Sequence, residues 1–152
     1  MYRILDQILM AEDSADDAEL TLGALAQNNF ANNVAVVYDG AEALDYLYRR
    51  GLFTGRDGPS PILLLLDLKM PKVNGLEVLR QIKTSPELAS IPVVILSSSC
   101  QEVELQEAQK LGADAYVLKP VRFKDFVEAI KIIGKFWGGL NVLRPIATAQ
   151  GG

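Results

Sequence analysis

The chain has 152 residues, 49% of them hydrophobic and 22% charged, with a formal net charge of −4. That length suits one domain with a core of its own, and the acidic balance argues against a nucleic-acid partner, whose protein footprint is normally basic along one face. Histidine is absent and Cys100 is the single cysteine, which excludes Ser–His and Cys–His nucleophile pairs, His-ligated zinc and an internal disulfide.

Cys100 reads as inert, and a lone cysteine suits a reducing compartment. The longest apolar run, residues 62–66, is too short to cross a bilayer. No small-residue cleavage pattern follows an apolar stretch near Arg3, so no signal peptide is expected. A soluble cytoplasmic protein without a membrane partner follows.

In chain order, an apolar run at 8–11 ends in Glu12 and Asp13. Ser14, three residues before Asp17, then marks a helix start. Asp16 and Asp17 read as first-turn acids that favour the helix dipole. A second run at 34–38 leads to a helix capped by Asp39 with Glu42. Residues 49–61, with three glycines and two prolines, form a long loop. The third run, 62–66, stops at Asp67, and Asn74 with Glu77 opens the next helix. The fourth run, 92–96, ends in Ser97 and Ser98, with Ser99 and Glu102 as the following cap. The fifth, 115–118, ends in Lys119 and Pro120. In the last helix Phe123, Phe126, Val127 and Ile130 form one apolar stripe at i, i+3, i+4, i+7. Ile132, Ile133, Phe136 and Trp137 exceed one face. Either the chain beyond folds back over them or they serve a partner surface.

The five runs are continuous rather than alternating, as in parallel strands covered on both faces. Strand and helix alternate five times, so the fold class is α/β, a doubly wound parallel sheet. Residues 1–137 form the domain. Gly138 and Gly139 end the last helix, and 138–152 is a C-terminal extension, partly disordered with a frayed end.

In such sheets the ligand site lies outside the carboxyl ends of the strands, where strand order reverses. Three acids (Glu12, Asp13, Asp67), the hydroxyls of Ser97 and Ser98 and one lysine (Lys119) would converge there. Acids brought together repel one another. An oxygen-liganded divalent cation such as Mg²⁺, together with an ammonium, resolves that conflict. A carboxylate flanked by both is a competent nucleophile on phosphorus, because both cations stabilise the charge of the transferring group. Asp67, ending the most apolar strand, is the expected nucleophile.

The stretches 10–13 (Met-Ala-Glu-Asp), 65–75 (Leu-Leu-Asp-Leu-Lys-Met-Pro-Lys-Val-Asn-Gly), 92–98 (Pro-Val-Val-Ile-Leu-Ser-Ser) and 112–120 (Gly-Ala-Asp-Ala-Tyr-Val-Leu-Lys-Pro) resemble two-component receiver domains in order and spacing. The resemblance spans roughly residues 5 to 137. It implies a flavodoxin-like sheet of order 2-1-3-4-5 and a stand-alone response regulator that takes a phosphoryl group from a partner histidine kinase. It implies Asp67 as phosphorylation site, Glu12, Asp13 and Asp67 as metal-binding acids, and the backbone carbonyl of Lys69 as a further Mg²⁺ ligand. Ser97 matches the switch hydroxyl, Tyr116 the switch aromatic, and Lys119 the phosphate-binding lysine before a cis Pro120. Glu12 replaces the commoner Asp, and still permits metal binding, through water. The long loop, the Lys119-Pro120-Val121 sequence and the Phe136-Trp137 helix end are similar to regulators that partner phytochrome kinases. Such a protein is a signalling phosphoacceptor rather than an enzyme, catalysing only its own phosphotransfer and dephosphorylation. Output passes through partner binding, with a homodimer expected on the helix 4–strand 5–helix 5 face and Phe123, Phe136 and Trp137 as candidates.

Other readings compete. An aspartyl phosphatase would need a general acid two residues after Asp67, where Lys69 stands. A flavin carrier would need a phosphate loop after strand one, where residues 12–17 carry acids instead. A pseudo-receiver would dock without phosphorylation.

Overall fold

The five apolar runs become five parallel strands in a computed structural model that describes residues 7–27, 33–99 and 101–136. The expectations placed on Cys100, on the side chains of Ile132, Ile133 and Phe136, on Trp137 and on 138–152 lie outside the described residues. The strands are β1 (Gln7–Ala11), β2 (Asn33–Val37), β3 (Leu63–Asp67), β4 (Val93–Ser97) and β5 (Ala115–Leu118). Helices α1 (Ala15–Gln27), α2 (Gly40–Tyr48), α3 (Gly75–Thr84), α4 (Glu102–Leu111) and α5 (Phe123–Phe136) alternate with them. The sheet order is β2-β1-β3-β4-β5. No helix among the described residues is long and apolar enough to cross a membrane.

β3 shows why the runs lack alternation. Leu64 and Leu66 enter a core with residues of α2 and α3, such as Leu44 and Val78, while Leu63 and Leu65 enter a second with Ala18 and Leu25 of α1 and Phe126 of α5. Successive side chains of a strand point to opposite faces, so a strand roofed by helices on both sides reads as leucine throughout. All five residues of β3 are buried.

The chain leaves β1 for β2 on one side, then returns to β3 on the other, with Ile8 beside both Val34 and Leu63. This reversal opens a crevice at the carboxyl ends of β1 and β3. β3 and β4 extend one residue further than the apolar runs. Asp67 pairs with Leu96, and Ser97 with Leu118, inside the ladder. Two polar residues of the site therefore sit on strand backbone rather than in loops.

Three of the four expected caps form. Ser14 Oγ accepts from Asp17 N–H at 3.2 Å, Asp39 Oδ1 from Glu42 N–H at 2.8 Å, and Asn74 Oδ1 from Glu77 N–H at 3.0 Å. Ser99 is a correction. The N-cap of α4 is Gln101, with no side-chain cap bond, and Ser99 Oγ accepts instead from Gln101 N–H at 3.3 Å. The chain leaving β4 is turned by Ser97 Oγ, which accepts from Ser99 N–H at 3.1 Å. That turn delays the helix and leaves Ser99 buried.

Gly75 opens α3 against the strand end. A Cβ there would collide with the carbonyl oxygen of Asp67 and the Cα of Leu68. Only glycine lets the helix start this close to the backbone that carries Asp67.

The loop at 49–61 is braced, not slack. Arg49 ends α2 in the left-handed region, φ 57°, and its guanidinium donates to the carbonyls of Arg56 and Gly58, each at 2.6 Å. The Arg56 guanidinium lies 4.0 Å over the Tyr46 ring and donates to the Tyr46 carbonyl.

Candidate functional site

Each side chain of the site is delivered by a strand end or the turn after one. Glu12 follows β1, its N–H donating to the Val37 carbonyl at 2.9 Å, and its side chain is buried with Oε2 accepting from Ser14 N–H at 3.2 Å. Asp13 is exposed beside it. Asp67 is buried at the end of β3, with Oδ1 accepting from Lys69 N–H at 3.4 Å, and the Lys69 side chain is exposed. One carboxylate oxygen from each of Glu12, Asp13 and Asp67 falls within 4.8 Å of the other two. The three acids expected to meet do meet.

Lys119 arrives from β5, with its N–H donating to the Ser97 carbonyl at 2.9 Å and a cis bond to Pro120. Its Nζ stands 2.5 Å from Glu12 Oε1, 3.0 Å from Asp17 Oδ2 and 3.4 Å from Asp67 Oδ2, and the side chain is 9% exposed. One ammonium thus serves three carboxylates at once. Ser97 is buried at the end of β4, and Tyr116 of β5 is half-buried with its hydroxyl donating to the Ser99 carbonyl at 2.9 Å. The expected switch pair is therefore linked through the turn that holds Ser99.

The charge balance is unfinished. Burial pushes the Glu12 carboxyl up to about 7; Lys119 opposes that shift and nearby Asp67 adds to it. Burial acts to lower the Lys119 ammonium, but its close contacts with the Glu12 and Asp17 carboxylates, with the Asp67 charge, leave it above its ordinary value. Glu12 Oε1 is close to Lys119 Nζ as an ion pair, yet it accepts no aligned hydrogen bond among the described residues. A buried carboxylate oxygen left in that condition is costly. An all-oxygen cluster with a surplus of negative charge fits a hard divalent cation of the Mg²⁺ kind, and no nitrogen or sulfur ligand in it favours zinc.

Asp17 is the residue that sequence reasoning missed. Read as a helix-dipole acid, it also accepts a hydrogen bond from the Lys119 ammonium across 102 positions of chain. Its place in the first turn of α1, directly after the β1 end that carries Glu12 and Asp13, was the available signal. Asp16 is exposed and makes no ion pair among the described residues, in keeping with the helix-dipole reading. Of the dimer candidates, Phe123 is 43% exposed at the start of α5.

The family model for the response regulator receiver domain matches residues 8–131. The chain is 35% identical over 130 residues to response regulator Rcp1 of Synechocystis, covering 86% of this chain and 87% of the relative. A structure described as the Mn²⁺-bound form of Rcp1 superposes with a TM-score of 0.72 at 34% identity, covering 87% of this chain and 94% of that one. The bacteriophytochrome response regulator RtBRR is 51% identical with a TM-score of 0.82, covering 96% of this chain and 87% of its own. Its counterpart AtBRR is 48% identical with a TM-score of 0.81, covering 93% and 99%.

Proposed function

The chain belongs to the response regulator receiver family, and from that premise we propose that it accepts a phosphoryl group on Asp67 from a phytochrome-type histidine kinase. The observation that carries this reading is the shared ammonium: Lys119 Nζ lies within 3.4 Å of Asp67 and within 2.5 Å of Glu12. Such a site binds a transferring phosphoryl group only when further positive charge is added.

Glu12, Asp13, Asp67 and the Lys69 carbonyl would hold Mg²⁺, whose chemistry is to neutralise the acids and the phosphoryl oxygens. Asp67 attacks phosphorus in line; its O–P bond forms as the P–N bond to the donor histidine breaks, and the electron pair returns to the imidazole. Lys119 turns its ammonium to a phosphoryl oxygen. Ser97 leaves the Ser99 N–H to donate its hydroxyl to another. Tyr116 then gives up the Ser99 carbonyl and rotates inward. A covalent change at β3 is thereby coupled to the α4–β5–α5 face, a two-state surface of the kind other phospho-switches use.

The kinase assignment is supported by relatives named as bacteriophytochrome response regulators at about half identity. Signalling proceeds in the cytoplasm through protein partners, with residues 1–137 as the receiver unit and a homodimer on the α4–β5–α5 face. There Val103, Leu118 and Phe123 are exposed. Phosphotransfer from a panel of histidine kinases, ranked by rate, tests the assignment. Fastest transfer from a phytochrome kinase supports it, whereas faster transfer from an unrelated kinase removes it. A monomer in sedimentation at tens of micromolar, roughly the range of modest interfaces, removes the dimer.

A further inference from the structure

Lys119 has three carboxylates within reach, and two of them are required by the site itself. The third, Asp17, is not. It stands on the first turn of α1 and is held there from both sides. Its N–H donates to Ser14 Oγ at 3.2 Å, and its carbonyl accepts from the buried Thr21 hydroxyl at 3.0 Å. Ser14 N–H in turn donates to Glu12 Oε2 at 3.2 Å. A continuous set of hydrogen bonds therefore fixes Asp17 relative to the acid pair. Its carboxylate takes an aligned hydrogen bond from Lys119 Nζ at 3.0 Å, shorter than the 3.4 Å that separates the same ammonium from Asp67.

We infer that Asp17 is a positioning residue, a competing anchor that parks the Lys119 ammonium and that the phosphoryl group on Asp67 must displace. The inference rests on the proposed phosphoacceptor reading. A phosphoryl group brings oxygens of high negative charge to Asp67, and these attract the Lys119 ammonium, 3.4 Å from its carboxylate. While Asp17 is ionised, the ammonium has an alternative partner, and the Asp17 charge also repels the arriving anion. Both effects weaken the hold on the phosphoryl group and set how far the switch equilibrium moves. Asp17 is 39% exposed, so solvent screening limits the effect to about fivefold in affinity.

The test is beryllofluoride, a phosphoryl analogue, titrated by calorimetry in the presence of Mg²⁺ into the wild-type chain and three variants. Asp17→Asn keeps the shape and removes the charge, and it should bind the analogue about fivefold more tightly. Asp17→Glu restores the charge and should return to within about twofold of wild type. Asp16→Asn removes an equal helix-dipole charge that does not meet Lys119, and should also stay within about twofold. Unchanged or weaker binding by Asp17→Asn overturns the inference, as does equal tightening by Asp16→Asn. If the wild type itself does not bind the analogue, the phosphoacceptor reading fails instead. The anchor is then judged alone by a metal-free double-mutant cycle in urea between Asp17→Asn and Lys119→Gln. Non-additive midpoints support the pair, and additive ones overturn it.

Discussion

Two largely buried lysines stand at opposite ends of the same sheet, and their surroundings differ in one respect. Lys83, in the last turn of α3, donates to the carbonyls of Ala89 and Ile91 at 3.2 and 2.8 Å and meets Asp114 Oδ2 at 3.4 Å. Asp114 itself takes the Val93 N–H at 2.8 Å. Three donors meet three acceptors, and one acid balances one base. Lys119, at the carboxyl ends of the strands, faces three carboxylates and leaves a buried oxygen of Glu12 without an aligned bond. The first lysine closes a local account of charge and hydrogen bonds, pinning the entries to β4 and β5. The second leaves a surplus of negative charge, of the kind that a hard divalent cation fits. Burial of a lysine is common to both; the imbalance around it separates a site from a structural tie.

The comparison breaks most visibly at its centre. Asp67→Asn removes the carboxylate nucleophile and should abolish phosphoryl labelling while the chain still folds, as read by radiolabel and circular dichroism. The two lysines should next part company in urea denaturation. Without metal, Lys83→Met and Lys119→Ala should each lose about 2–3 kcal/mol, because each leaves buried polar groups unpaired. Millimolar Mg²⁺ should restore much of the loss at Lys119→Ala and none at Lys83→Met. Equal responses to Mg²⁺ would erase the distinction. Lys119→Ala should also keep Mg²⁺ binding but lose the switch, and a variant that responds normally would contradict its role.

A smaller effect is expected beneath the nucleophile. Gly75→Ala drives a methyl into the Asp67 carbonyl and should cost about 1–3 kcal/mol, with slower labelling by the fraction that survives. Gly23→Ala, at a helical glycine whose Cβ would meet nothing, should be neutral or stabilising by under about 1 kcal/mol. The last prediction concerns pH. Glu12 is raised to about 7 by burial first, against the pull of Lys119. Its folded carboxyl keeps a proton that the unfolded chain releases near 4.5. Stability from this group is therefore full below 4.5 and is lost as pH rises through about 7 in the metal-free protein. Cation binding needs the ionised form, so Mg²⁺ affinity should fall by up to about tenfold per pH unit below that value. A Mg²⁺ affinity flat between pH 5 and 8, a range spanning roughly the shift, would contradict it.

Much of the fold was legible because burial on both faces leaves a direct trace. Five unbroken apolar runs gave five strands, shifted by a residue where Asp67 and Ser97 carry on the ladder that apolarity alone does not mark. Caps were legible where the side chain bonds three residues on, as at Asp39 and Asn74. They failed at Ser99, where a serine two residues back redirects the chain and the same spacing means a turn. At the site, Glu12, Asp13, Asp67 and Lys119 stood out because strand ends in a doubly wound sheet converge. Asp17 did not. An acid in a first helical turn has a sufficient local explanation, and its partner Lys119 comes from the far end of the chain. The bracing of 49–61 was hidden for a related reason. Arg49 and Arg56 stabilise the loop through carbonyls and a ring face, and neither leaves a pattern in sequence.

The central claim is that the charge deficit at Lys119 exists for phosphoryl transfer to Asp67. Incubation with acetyl phosphate, followed by borohydride trapping and peptide mass spectrometry, measures this most directly. The account predicts a single modified residue, Asp67, formed only when Mg²⁺ is present. Absence of label, label on another residue, or equal labelling in EDTA would contradict it.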